Sequence, residues 1–212
     1  MDSKTNHIAD APPDQFPGLQ SPVPWHPGRV RLLWLGTLVE LCLGLVALGL
    51  GWLLGIPWWR HIDFSLTAFA VGVVVSLPMM SLFGICVRWP LGPLAKIKQF
   101  AQDVVRPMFI HSGAWELAII SATAGLGEEL LFRGVLQTAL SEWFGRWIGL
   151  AMASLLFGMM HPITVAYVIL ACLLGVYLGW IWMTSGNLLI VIVAHAIYDF
   201  LALLFVTRWG KW

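Results

Sequence analysis

Ionisable side chains are scarce inside the long apolar stretches of this chain, and those present keep helical spacing. In Glu128-Glu129-Leu-Leu-Phe-Arg133 two carboxylates stand side by side and a guanidinium follows the second by four residues. Phe157 and His161 repeat the same interval, and so do His195 and Asp199. Each ionisable group at membrane depth costs about 2.5–3.5 kcal/mol on insertion scales, so a cluster of them calls for a function. Carboxylates and imidazoles that converge can take a proton from water and return it elsewhere, which is general acid–base chemistry. On a helix, residues four apart share a face, and an acid N-terminal to a base is the favourable order for an ion pair. Glu129 and Arg133 are therefore expected to neutralise one another and brace the helix. Glu128 points about 100° away from Glu129 and is free for another partner. Taken singly, His161 reads as a helix-end histidine before Pro162, and His195 with Asp199 as an interhelical hydrogen-bonding pair. Together with Glu128 they become groups that three helices can aim at one point.

The elements that must position them are hydrophobic. Of 212 residues, 59% are hydrophobic and 11% charged, against about 25% charged in soluble domains. The expectation is an integral, multi-pass membrane protein of all-α class: a polytopic bundle of about six transmembrane helices plus an interfacial amphipathic helix. Six apolar segments are readable at about 32–58, 65–88, 115–140, 144–161, 164–184 and 187–206, each near or above the ~20 residues that cross a ~30 Å hydrocarbon core. Tryptophans such as Trp58, Trp89, Trp115 and Trp180 fall near segment ends, as interfacial belts do. Pro78 is expected to kink the second segment. Gly51 with Gly55, and Gly175 with Gly179, have the small-xxx-small spacing of closely packed membrane helices. Between the second and third segments, Leu94, Ile97, Ala101 and Val104 recur opposite Lys98, Gln99, Gln102, Asp103 and Arg106. That pattern predicts an amphipathic helix over 90–112, lying in the membrane surface or in a soluble loop and stopped near Pro107.

Residues 1–30 are polar and proline-rich without a secretory h-region, and read as a disordered cytoplasmic tail. Residues 31–212 read as a single transmembrane domain. Placing both termini in the cytoplasm puts Lys4, Arg29, Arg31, Arg88, Lys96, Lys98, Arg106, Arg208 and Lys211 inside and only Arg60 and Arg146 outside, as the positive-inside rule favours. Nothing in the charge pattern suggests nucleic acid. Cys42, Cys86 and Cys172 are isolated in apolar runs and are expected as lipid- or core-facing thiols. Glu116 reads as a solvated helix end, and Glu40 has no partner that the sequence names.

The three motifs, in their order on successive apolar segments, resemble those of the CPBP family, membrane proteases that include CAAX prenyl endopeptidases and bacteriocin-processing or self-immunity proteins. The family pattern is EExxxR, FxxxH and HxxxN or HxxxD. Thr184-Ser-Gly-Asn187-Leu, before the last segment, is also similar to the family. The resemblance covers about residues 115–205, a catalytic core, and implies an intramembrane glutamate endopeptidase acting on a membrane-anchored or prenylated protein or peptide. It implies Glu128 as the general base on water with His161, His195 and Asp199 at the oxyanion, and Glu129, Arg133 and Phe157 in support. Asp199 stands where many members have Asn. An ionised carboxylate repels an oxyanion, so Asp199 is either protonated or orients His195. No cofactor is expected. The alternative is zinc held by Glu128, His161 and His195, although no HExxH is present. Two readings from other classes are a non-catalytic immunity or scaffold protein using the same cavity and an ion-coupled transporter. With straight helices His161 falls nearer the cytoplasmic face than Glu128, and helix tilt would reconcile the two.

Overall fold

The computed structural model describes residues 27–209, with side chains from Leu33 onward. Most of the tail expected over 1–30 lies outside the described residues, but its last residues do not. Pro27 already opens α1 (Pro27–Leu53), as a proline suits a first helical position. A 3₁₀ turn at Trp58–His61 follows, then α2 (Leu66–Arg88). The next helix, α3, starts at Pro93–Phe100, widens into a π-helical turn over Ala101–Val105 and continues through Arg106–Phe109. The long α4 is likewise compound: Ala114–Glu129, a π-helical stretch Leu130–Gln137, and Thr138–Phe144. The chain then forms α5 (Arg146–Met159), α6 (Val165–Ser185) and α7 (Leu188–Trp209). Among the described residues there is no strand, so the all-helical expectation holds.

The four helices Leu33–Leu53, α2, α6 and α7 are long and apolar enough to cross a membrane. Their outer faces leave residues such as Leu45, Val74, Leu77 and Leu173 exposed, which suits contact with lipid. The other two expected spans differ from the sequence reading. The third is interrupted by its π-helical stretch, and the fourth is only 14 residues long, about 21 Å at 1.5 Å per residue. The amphipathic region is helical as expected, yet it runs past Pro107 to Phe109. The widened turn before Pro107, closed by Arg106 N–H to Ala101 O, relieves the clash that stops a regular helix at proline. Pro78 lies within α2, which remains one helix from end to end.

Small residues set the packing around α4. Gly36 lies against Ile120, Gly44 against Gly127 and Gly51 against Val135, so α1 and α4 run parallel. A methyl group on Gly127 would overlap the Glu40 carbonyl oxygen, and one on Gly125 would come within 2.9 Å of Ile192 O and Ala196 N of α7. On α6, Gly175 packs on Ser154, and Gly179 on Leu150 and Gln137, as the spacing predicted. Gly55 does otherwise: its φ of +68° ends α1 and nothing packs on it. Caps fix the helix starts, with Ser65 Oγ accepting from Ala68 N and Thr164 Oγ1 from Tyr167 N. Glu116, read as a solvated end, instead accepts from Gly113 N at 2.6 Å and caps α4. Asn187 accepts from Asp63 N and donates to Asp63 O, tying the α6–α7 turn to the α1–α2 loop.

Adding a methyl group where backbone already fills the space forces the helices apart. Gly127→Ala, and Gly158→Ala against Val168 O and Cys172 N, are each expected to cost about 1–3 kcal/mol. Gly49→Ala meets nothing within 4 Å and is expected to leave stability equal or higher. Thermal unfolding of the three variants in detergent checks this; equal melting of all three would contradict the close packing.

Candidate active site

The site grows from the turn of α4 that carries the adjacent glutamates. Gly125 and Gly127 let α7 and α1 press against this turn from two sides, and Glu128 and Glu129 follow at once. Glu129 is fully buried. Its Oε1 lies 3.0 Å from Arg133 NH1, the expected i,i+4 pair. The same oxygen also meets His195 Nδ1 at 2.8 Å, a contact between α4 and α7 that sequence spacing did not reveal. Arg133 reaches further. Its NH2 donates to Gly175 O of α6 at 3.2 Å, and its guanidinium lies 4.4 Å over the Phe157 ring of α5. Within the π-helical stretch one turn on, Gln137 Nε2 donates to Gly179 O. Phe157 thus sits at the centre, in edge contact with Phe132 and near the rings of His161 and His195.

His195 stands between two carboxylates. Nδ1 faces Glu129, and Nε2 lies 3.4 Å from Asp199 Oδ2 one turn along α7. A carboxylate only accepts, so the ring donates from Nδ1 to Glu129 and turns its second nitrogen towards Asp199. This is the orienting geometry considered for Asp199 from the sequence. The contact is looser than that to Glu129, and the Asp199 side chain is 30% exposed.

Glu128 and His161 form the other half. Glu128 Oε2 lies 3.9 Å from His161 Nε2. His161 Nδ1 is 2.8 Å from Phe157 O; the carbonyl accepts, so Nδ1 holds a hydrogen and Nε2 is the nitrogen turned towards Glu128. Glu128 Oε2 has no hydrogen-bond donor among the described residues. Despite the mismatch in depth expected from straight helices, the two side chains meet. Helix α5 ends at Met159, and His161 in the turn after it comes within 3.9 Å of Glu128.

His161, His195 and Asp199 line a small cavity of about 40 Å³, together with Phe157 and apolar residues of α6. Tyr167 and Tyr198 line it too, and the sequence reading passed over both. Their signal was present: Tyr167 opens the helix after His161, and Tyr198 stands inside the His195-to-Asp199 motif. The three cysteines are free. Among the described residues no three His, Cys, Asp or Glu side chains are arranged to hold a metal ion. Both nitrogens of His195 face carboxylates and His161 Nδ1 faces a carbonyl, so the zinc set Glu128, His161 and His195 does not fit.

No curated protein and no solved structure matches the chain. Residues 110–201, which contain all three motifs and every pair described above, match the family model of type II CAAX prenyl endopeptidase Rce1-like proteins. Residues 110–201 are thus similar to the Rce1-like CAAX protease family, in keeping with the resemblance of the chain's motifs to CPBP proteases.

Proposed function

We propose that the chain is an intramembrane endopeptidase in which Glu128 activates water. The observation that carries this reading is the meeting of Glu128 Oε2, which lacks a donor, with His161 Nε2 at 3.9 Å. Two acceptors that close accommodate one water donating a hydrogen to each. Glu128 takes the proton, and the hydroxide formed attacks the carbonyl carbon of the scissile peptide bond. The developing oxyanion takes a hydrogen bond from His195 Nε2–H, released from its loose contact with Asp199, while Glu129 holds the ring from Nδ1. Glu128 then returns its proton to the leaving amine. A donor preorganised away from bulk water stabilises the oxyanion more than one in water. Glu129, Arg133 and Phe157 keep the two imidazoles in place.

Six passes with both termini in the cytoplasm follow from the lysine and arginine bias. The third and fourth are the compound α4 and the short α5, whose end opens the cavity towards the cytoplasmic side. Residues 1–30 are the cytoplasmic tail, and the remainder is one transmembrane domain with its catalytic core over 115–205. The substrate is a membrane-anchored, prenylated protein or peptide, since the family is named for such substrates. α3, with Lys96 and Lys98, lies along the headgroups of the membrane lipids.

The test is cleavage of a farnesylated CAAX peptide by the purified chain in detergent. Glu128→Gln keeps the shape of the side chain and removes the base, so the rate is expected to fall by about 10²–10⁴-fold with unchanged thermal unfolding. Near-normal cleavage by that variant would remove Glu128 from the mechanism.

The commitments of the imidazole nitrogens make a second test. Cleavage is expected to continue unchanged in EDTA and in 1,10-phenanthroline. Loss of activity with a chelator, restored by zinc, would replace this reading with the zinc arrangement.

A further inference from the structure

Attack of hydroxide on a peptide carbonyl leaves an oxyanion for which the site offers one donor so far, His195 Nε2–H. The other polar groups around it are committed elsewhere. Ionised carboxylates only accept. Arg133 is held by Glu129 and the Gly175 carbonyl, and His161 Nδ1 by the Phe157 carbonyl. The backbone N–H of His161 goes to Gly158 O, and that of Tyr167 to Thr164 Oγ1. The rest of the cavity wall is formed by α5, α6 and α7, whose interior N–H groups bond within their own helices.

Hydroxyl groups are the donors left. The chain has three tyrosines. Tyr177 Oη donates to Val75 O at 2.9 Å. The hydroxyls of Tyr167 and Tyr198 have no hydrogen-bond partner among the described residues, yet neither is sealed away from water. A tyrosine that is largely buried usually finds a partner for its hydroxyl. The two that have none both line the cavity of His161, His195 and Asp199. At about 40 Å³, that cavity has room for a carbonyl group or a few waters. The two tyrosines are not equivalent. The Tyr198 ring meets Phe83 of α2 edge-on and packs against the apolar core. The Tyr167 ring lies 6.0 Å from that of His161, the imidazole that faces Glu128, and its backbone is fixed in the capped first turn of α6. We propose that Tyr167 is a further catalytic residue, whose hydroxyl donates a second hydrogen bond to the oxyanion beside that of His195. The phenol keeps its proton throughout, so it adds no charge to the cavity and leaves Glu128 as the base.

This inference rests on the peptidase reading, and the experiment separates the two. Steady-state cleavage of a farnesylated CAAX peptide is measured with the purified full-length chain in detergent. Tyr167→Phe is expected to lower kcat by about 10²–10³-fold with KM and thermal unfolding unchanged, because the bond strengthens only as charge develops. Tyr177→Phe is the control and keeps the wild-type kcat. A ring-fluorinated tyrosine at position 167, whose hydroxyl loses its proton at lower pH, is expected to move the alkaline loss of kcat to lower pH, since a phenolate accepts and no longer donates. Wild-type kcat in Tyr167→Phe, a raised KM with unchanged kcat, or a loss confined to Tyr198→Phe overturns the inference. Should Tyr167→Phe not fold, an unmoved pH profile with the fluorinated residue overturns it equally. A wild type that cleaves nothing refutes the peptidase reading and this inference with it. A wild type that depends on Glu128 but not on the Tyr167 hydroxyl refutes this inference alone.

Discussion

One carboxylate oxygen holds the centre of this bundle. Glu129 Oε1 is within 3.0 Å of Arg133 NH1 and 2.8 Å of His195 Nδ1, and through Arg133 it extends to the Gly175 carbonyl and the Phe157 ring. Four helices, α4, α5, α6 and α7, therefore meet through one acidic side chain. Such a cluster is poor evidence of stability, because desolvating charges offsets most of what they gain from one another. Its value is in geometry. If any member shifts, a buried charge is left without a partner, so the helices have one relative placement in which all are matched.

The apolar framework is built to allow that placement. Lipid provides little hydrophobic drive between helices, so close packing of small residues has to supply it. Gly125 and Gly127 admit α7 and α1 on either side of the glutamate turn, and Gly175 and Gly179 admit α5 and the side chain of Gln137 against α6. The π-helical stretch Leu130–Gln137 begins directly after Glu129, a position where such departures from regular helix accompany functional sites. Helix α5 ends at Met159, and the turn after it sets His161 beside Glu128.

What could be read from the sequence was what lies within one helix. Glu129 with Arg133, Phe157 with His161 and His195 with Asp199 are all one turn apart, and all three contacts are present. Helical spacing fixes such pairs before any tertiary structure exists. Contacts between helices were not fixed in that way. The bond from His195 to Glu129 depends on how α7 lies across α4, and the sequence assigned Glu129 to Arg133 alone. The length of α5 was hidden because its apolar run merges with Gly145 and Met160 on either side. Pro107 was given its usual meaning, and the turn that accommodates it leaves no mark in the residue pattern. Glu40 was visible as an anomaly without an explanation, because the residues of α4 packed around it, such as Gly127, stand far along the chain.

With Glu128 in its proposed role as the base, the adjacency of the two glutamates has a physical reason. A catalytic base has to keep an oxygen free for water, and a free, buried oxygen is costly because it forgoes a hydrogen bond. It also lacks the bonds that would hold it in position. Glu128 is in that condition: its Oε2 has no donor among the described residues. Glu129, one residue on, differs: its Oε1 is ion-paired with Arg133 and hydrogen-bonded by His195 Nδ1, and its side chain has no exposure to solvent. The two share a peptide unit, so the contacts that immobilise Glu129 also fix the backbone of Glu128. The side chain of Glu128 can then remain without a partner and still be aimed. Separating the two glutamates by a turn would leave each to be held by its own contacts, and those needed to hold Glu128 would occupy the oxygen that has to stay open.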